Sequence, residues 1–320
     1  MAHKIKKTKT STTFRPDTKS ALSELSTVRD FIRYAVSCFN EAELFYGHGT
    51  FSPFDEAVFL VLESLKLPIT QLEPYYDARL LPEEKKRIAD LIEKRIVTRK
   101  PVPYLLNKMY LQGTPFYVDE RVIIPRSYIA ELLFTEIAGG EHPLIDDPFA
   151  VRSVLDLCTG SGCLAILAAQ VFPNAEIDAV DLSPEALEVA KINVENSWVK
   201  DRITLYQGDL FKPLKGKSYD LIITNPPYVD ADDMTDLPPE YEYEPKMALA
   251  GGKDGLDIVH RILKEAPKYL MGEGHLLCEI GYGRTLLEEE YPGTSFLWLD
   301  TENSDGEVFW LSRDQLGVRT

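Results

Sequence analysis

Apolar positions recur at helical spacing through the first third of the chain. Val28, Phe31, Ile32, Ala35, Val36 and Phe39 form one stripe, Ala57, Val58, Val61, Leu62 and Leu65 a second, and Ile88, Leu91, Ile92 and Ile96 a third. The third opens at Pro82 with Glu83 and Glu84 behind it. A proline pre-sets the backbone of a first helical turn, and acids there suit the helix dipole. A small helical bundle over residues 21–102 is therefore expected. The period then changes. Residues 105–111 and 116–124 flank Gln112-Gly113-Thr114-Pro115 and read as a β-hairpin. Residues 127–138 return to helix, and Gly139-Gly140 through Pro148 is a linker, so 103–150 form a connecting segment.

From residue 151 to the end, short apolar runs alternate with helical stripes. Strands are predicted at 153–158, 175–182, 203–207, 220–224 and 275–280, with 296–299 and 308–311 closing the chain. Helices are predicted at 163–171, from Ser183-Pro184-Glu185 onward, and near 255–270. Such alternation predicts an α/β fold with a doubly wound, mostly parallel sheet, which receives its ligands at the carboxyl ends of the strands.

Composition narrows the partners. The chain has 320 residues, 44% of them hydrophobic, enough to build two domains. With 35 basic and 51 acidic residues its formal charge is -16, which repels a phosphate backbone and favours a basic protein partner, so no direct contact with nucleic acid is required. No apolar run reaches membrane-spanning length and no secretory signal opens the chain, so no membrane partner is expected. Cys38, Cys158, Cys163 and Cys278 lack metal-ligand spacing; reduced thiols in a cytoplasmic protein without a metal site are expected. Residues 1–20 carry Lys4, Lys6, Lys7, Lys9, Arg15 and Lys19 against Asp17 alone and little to bury, the composition of a disordered basic tail.

The first strand of this region ends in Asp156-Leu157-Cys158-Thr159-Gly160-Ser161-Gly162. Gly160 and Gly162 allow a tight turn and let a ligand approach backbone N–H groups. Asp181 ends the next strand, where a carboxylate accepts both hydroxyls of a ribose. Gly160, Gly162 and Ala165 also fit a permissive dinucleotide fingerprint. Charge separates the two readings. A dinucleotide brings an anionic pyrophosphate to this turn, whereas S-adenosyl-L-methionine brings an ammonium and a sulfonium. Asp156 repels the first and attracts the second; the alternative is an aspartate that caps its own loop. After the third strand, Asp209 is placed to accept an adenine amino group with Leu210 against the ring, or serves as a turn aspartate.

Asn225-Pro226-Pro227-Tyr228 follows the strand at 220–224 directly. An amide nitrogen is a weak nucleophile because its lone pair is delocalised into the carbonyl, so catalysis must hold it in line with the methyl group. The Asn225 side-chain oxygen and the Pro226 carbonyl accept two N–H bonds of such an amide. The prolines stiffen the turn and remove competing donors, and the Tyr228 ring stacks on the amide plane. The acids that follow, Asp230, Asp232, Asp233, Asp236, Glu240, Glu242 and Glu244, are expected to rim the entrance in a run kept extended by Pro238, Pro239 and Pro245.

Asp156 to Gly162, Asp181 and Asn225 to Tyr228 together resemble the class I amino-methyltransferases. Tyr46-Gly47-His48-Gly49-Thr50, Phe116 to Val122, Pro125-Arg126-Ser127 and Glu244-Pro245 with Gly252, Asp254, Gly255 and Leu256 extend the likeness over nearly all of 21–315. It is similar to the protein-glutamine N5-methyltransferases, and within them to the branch acting on large-subunit ribosomal protein three. The resemblance implies a class I, Rossmann-like seven-stranded sheet at 151–320 with a reversed last hairpin. It implies an N-terminal helical domain at 21–102 for substrate recognition and a β-hairpin linker. Cys158, Thr159, Gly160, Ser161, Gly162, Asp181, Leu182, Asp209 and Leu210, with Asn225, would hold S-adenosyl-L-methionine. Phe116 and Arg126 would approach substrate or cofactor, while His48 reads as a polar loop or capping residue. Peptide chain release factors are the alternative protein substrate. An adenine-N6 nucleic-acid methyltransferase shares the Asn-Pro-Pro-Tyr logic, but the acidic body opposes it.

Overall fold

The computed structural model describes residues 14–317, and the chain divides into two compact units at Asn107. The first thirteen residues of the basic tail lie outside the described residues. Of the rest of that tail, residues 18–20 already form the first turn of α1 (Thr18–Glu24), where Asp17 accepts from the backbone N–H of Ser20.

In the helical unit, α2 (Val28–Glu41) starts with a capping box: Thr27 accepts from the Asp30 N–H, and the Asp30 carboxylate accepts from the Thr27 N–H. Val28, Phe31, Ile32, Ala35 and Phe39 are buried, as their spacing predicts, and Val36 is half-buried. Ser52 caps α3 (Pro53–Ser64), which buries Ala57, Leu60, Val61 and Leu62. The face of α4 (Pro82–Thr98) buries Ile88, Ile92 and Ile96. One ion pair is sealed among these helices. Arg95 Nε meets Glu56 Oε1 at 2.7 Å with both side chains 1% exposed. Glu56 also accepts from the Thr50 hydroxyl, and Arg95 donates to the carbonyls of Phe45 and Arg99. The pair thus pins both ends of the 45–50 segment that holds Tyr-Gly-His-Gly-Thr.

The hairpin is shorter than the pattern predicts. Residues 102–106 form α5 (Val102–Leu106), because Pro101 and Pro103 suit a helix entry and cannot donate to a ladder. The strands are β1 (Met109–Leu111) and β2 (Thr114–Phe116). Their turn is Gln112-Gly113 alone, with φ of 48° and 72°, the conformation a two-residue hairpin demands. Residues 117–124 leave the ladder because side chains claim their amides: the Tyr117 N–H donates to Asn193 and the Ile124 N–H to Glu244. The helix expected at 127–138 is one turn, α6 (Ile129–Leu132), continued by a wider π turn over Leu133–Ile137.

The larger unit contains β3 (Ser153–Leu157), α7 (Cys163–Val171), β4 (Glu176–Asp181), α8 (Pro184–Asn196), β5 (Ile203–Gln207), β6 (Tyr219–Thr224), α9 (Asp233–Asp236), α10 (Asp257–Glu265), β7 (Leu270–Glu279), α11 (Arg284–Glu290), β8 (Leu297–Thr301), β9 (Ser304–Ser312) and α12 (Arg313–Gly317). The sheet order is β5-β4-β3-β6-β7-β9-β8. Neighbours from β5 to β7 are parallel, and β9 runs antiparallel to both β7 and β8, the reversed hairpin that the resemblance implies. Alternate residues serve two cores. Val154, Leu221 and Ile223 pack on one face with α7, whereas Leu155, Leu157 and Ile222 pack on the other with α10. The chain winds outward from β3 through β4 to β5, then crosses back to β6. The carboxyl ends of β3 and β6 therefore meet at the switch point of the sheet, where open α/β folds form their crevice.

Candidate active site

The turn after β3 takes three left-handed residues, with φ of 60° at Cys158, 54° at Gly160 and 79° at Gly162. A Cβ at Gly160 would meet nothing within 4 Å, so this glycine answers to backbone conformation and its outer face is open to a ligand. At Gly162 the neighbour is Ala190 of α8, 3.3 Å from where a Cβ would stand. Asp181, at the end of β4, ties the turn down: Oδ2 accepts from the Gly160 N–H and Oδ1 from the Ser183 N–H, each at 2.8 Å. Burial raises its pKa, against the pull of those N–H groups.

Asp156 turns inward. It is fully buried, and Oδ2 accepts from the Thr159 hydroxyl at 2.5 Å and the Ala165 N–H at 3.0 Å. Burial pushes its pKa up to about 7. The residue braces the turn on the start of α7, so the capping reading fits its contacts, and it forms no part of the cavity wall.

A cavity of about 320 Å³ opens over this turn. Cys158, Gly160, Asp181, Leu182, Asp209, Leu210, Asn225 and Pro227 line it, so the three strand ends and the Asn-Pro-Pro-Tyr turn converge on one space. Val122, Ile123, Pro245, Ala248, Ile258 and Arg261 complete much of the remaining wall. Thr159, Ser161, Gly162 and Pro226 stand behind it as parts of the two turns. Asp209 is held by two cations, Lys212 at 2.7 Å and Arg261 at 2.6 Å, which keep its carboxyl below the usual range. The Cys158 thiol is pushed well up by burial, so it stays protonated.

Tyr228 is half-buried and stands outside the cavity lining, with its hydroxyl pointing into the protein. Its hydroxyl donates to Glu279 Oε1 at 2.9 Å. The backbone around it is clasped by the next segment: Val229 donates to Leu249 O and accepts from the Gly251 N–H. A Cβ at Gly251 would come 2.7 Å from Tyr228 Cα, and one at Gly255 2.4 Å from the Tyr228 carbonyl oxygen. Arg126 and Glu244 form a two-pronged pair at 2.5 and 2.8 Å, with Glu244 also accepting from the Ile124 N–H. Arg126 thus joins two loops and contributes no wall to the cavity. Phe116 is 2% exposed and lies in the core with Ile129 and Leu133. The alternation along β2, exposed at Pro115 and buried at Phe116, turns its ring inward.

The acidic run is not extended. It folds into α9, a 3-10 turn over Pro239–Tyr243 that opens on a proline, and another over Lys246–Ala248 with Pro245 as its cap residue. Glu240 and Glu244 are buried, and Asp230 spends Oδ1 on the N–H groups of Asp232 and Asp233. Asp232, Asp233, Asp236 and Glu242 remain exposed. Sequence reasoning passed over Glu279, Arg261 and Asn193. Asn193 accepts from the Tyr117 N–H and donates to the carbonyls of Tyr117 and Ser161, a bridge that only folding assembles. His48 is 1% exposed within the helical unit. Among the described residues no His, Cys, Asp and Glu cluster is arranged to hold a metal ion, and no helix is long and apolar enough to cross a membrane.

Residues 143–237 match the methyltransferase small domain family. The ribosomal protein uL3 glutamine methyltransferase of Bradyrhizobium diazoefficiens is 57% identical over 300 residues, 93% of this chain and 94% of that one. Its namesake in Burkholderia pseudomallei is 52% identical over 297 residues, 91% of this chain and 95% of that one. Among solved structures, a methyltransferase from Pyrococcus furiosus is similar over 71% of this chain and 98% of that one, at 16% identity and a TM-score of 0.45.

Proposed function

The chain belongs to the ribosomal protein uL3 glutamine methyltransferases, and from that premise we propose that it moves a methyl group from S-adenosyl-L-methionine to the side-chain amide nitrogen of a glutamine in uL3. The observation that carries the reading is the convergence of Gly160, Asp181 and Asn225 on one cavity at the switch point of the sheet. The cavity is of the size that small-molecule sites take, roughly 300–1,000 Å³. The open face of Gly160 and the carboxylate of Asp181 fit a cofactor with a ribose and no phosphate at the turn.

The cofactor supplies an electrophilic methyl group on a cationic sulfur. Asp181 accepts the ribose hydroxyls with the lone pairs left by its two backbone donors. Leu210 packs on the adenine, and Asp209, kept ionised by Lys212 and Arg261, accepts from the adenine amino group. Asn225 and the Pro226 carbonyl accept the two amide N–H bonds of the glutamine, and the Tyr228 ring stacks on the amide plane. No strong base is needed before transfer, since alkylation itself makes the nitrogen acidic enough to lose its proton to water. Residues 21–102 serve substrate recognition, 103–150 link, and 151–320 carry catalysis in a cytoplasmic enzyme. Family membership favours uL3 over release factors as the acceptor, and the acidic body opposes nucleic acid. Mass spectrometry of uL3 incubated with the protein and methyl-labelled cofactor is expected to find label on a glutamine. Label on a release factor with none on uL3 would remove this reading.

Asp181→Ala is expected to weaken cofactor binding about tenfold to a hundredfold, because hydrogen bonds to a charged group are worth roughly 1.5–3 kcal/mol. Calorimetry on the folded variant checks this, and unchanged affinity would reassign the carboxylate to bracing the Gly160 turn alone. The four exposed acids after Tyr228 are expected to steer a basic substrate. Replacing Asp232, Asp233 and Asp236 with Asn and Glu242 with Gln should raise KM for the protein at low salt and leave a short neutral glutamine peptide unaffected. The difference should fade with added salt, since screening limits such charges to about 8 Å near physiological ionic strength. Equal KM values at low salt would make the run an ordinary solvated surface.

A further inference from the structure

Tyr228 is fixed by groups outside its own turn. Its hydroxyl donates to Glu279 Oε1 at 2.9 Å, and its ring lies against Gly281, where a Cβ would stand 2.9 Å from Cδ2 and Cε2. Glu279 ends β7 and is 1% exposed. Its other oxygen accepts from the Ser127 hydroxyl at 2.6 Å and the Tyr128 N–H at 3.0 Å. An ionised carboxylate only accepts, so three donors from two distant segments are matched by one group. The adjacent residue, Arg126, is itself locked to Glu244. Burial raises the Glu279 pKa, and the three donors and the charge of Arg126 oppose that rise.

We propose that Glu279 is a positioning residue for methyl transfer: it aims the Tyr228 ring at the bound glutamine amide and ties that aim to the 126–128 segment. The proposal rests on the reading of Asn225 to Tyr228 as the turn that holds the amide. The bonded hydroxyl points into the protein, so its role is to hold the ring and not to reach the reacting nitrogen. Stacking on a planar amide tolerates little swing, and a displacement of about 1 Å at a reacting group costs up to a hundredfold in rate.

The geometry dictates the test. In Glu279→Gln the backbone N–H of Tyr128 cannot reverse, so the amide oxygen must face it, and the NH2 group is left facing the Tyr228 hydroxyl. That hydroxyl must then accept from the NH2 group, so a charge-assisted bond becomes a weaker neutral one of reversed direction. Tyr228→Phe removes the same bond from the other end and keeps the ring. Each variant of the full-length protein is expected to lose about tenfold in kcat, the worth of one charged hydrogen bond, with KM and cofactor affinity within about twofold. The double variant should be no slower than Tyr228→Phe alone, because both changes act on one and the same interaction. Rates are read on whichever acceptor the wild type methylates, so a wrong substrate assignment and a failed coupling are told apart. Losses that multiply in the double variant, or a Glu279→Gln protein that melts earlier at wild-type kcat, would overturn the proposal. If Glu279→Gln does not fold, Tyr228→Phe decides alone: wild-type kcat there refutes the coupling.

Discussion

Replacing Asn225 with alanine is expected to lower kcat by roughly a hundredfold or more and to disturb cofactor affinity far less. The substituted side chain lines the cavity beside Pro227, at the end of β6. An alanine there leaves one of two amide N–H bonds without its acceptor, so the nitrogen is no longer held in line with the methyl group. Orientation of this kind supplies a large share of an enzyme's rate, and its loss falls on turnover. The cofactor keeps Asp181 and the Gly160 turn. Steady-state kinetics paired with calorimetry separate the two effects. A variant that turns over at the wild-type rate would reduce Asn-Pro-Pro-Tyr to a structural turn.

The second large effect lies in the helical unit. Glu56→Ala is expected to destabilise that unit by about 3–5 kcal/mol, the cost of removing one partner of a buried ion pair. Arg95 would keep its guanidinium at 1% exposure and lose the Glu56 carboxylate, while Thr50 loses its acceptor. Urea unfolding measures the loss. Replacing both residues with apolar side chains of similar volume is expected to recover much of it, because the penalty belongs to the desolvated charge that stays behind more than to the missing attraction. A loss under about 1 kcal/mol would mean that water reaches Arg95 readily. The segment at stake, 45–50, includes the Tyr-Gly-His-Gly-Thr stretch, and if residues 21–102 serve substrate recognition as proposed, acceptance of the protein substrate should suffer along with stability.

The parts of this molecule that follow from local periodicity were legible in the sequence. The stripes of α2, α3 and α4 land on buried faces, and the strands ending at Leu157, Asp181 and Thr224 carry their turns to one edge. The parts that depend on partners distant in sequence were not. Residues 117–124 have the composition of a strand, yet Asn193 and Glu244 take amides that a ladder would need. Phe116 and Arg126 stand in segments that carry the sequence resemblance, but one fills the core and the other bonds Glu244. Glu279 carried no local signal, because an acid after an apolar strand is ordinary until Ser127, Tyr128 and Tyr228 gather around it.

The close packing around Tyr228 sets which genetic changes the enzyme survives. Every missense single-base change in a glycine codon adds a Cβ. At Gly251, Gly252 and Gly255 that atom would fall within 2.7, 2.0 and 2.4 Å of Tyr228 Cα, the Asp257 carboxylate and the Tyr228 carbonyl oxygen. A saturation library scored for methylation should therefore show three empty columns there. A permissive stretch should precede them at the exposed positions Ala231 and Thr235, with single changes at Asp232, Asp233 and Asp236 tolerated at physiological salt, where the steering by those acids is screened. The boundary between intolerance and drift along this segment is then drawn by the free space around Tyr228 and Asp257, so the exposed loop can vary without disturbing the clasp behind it.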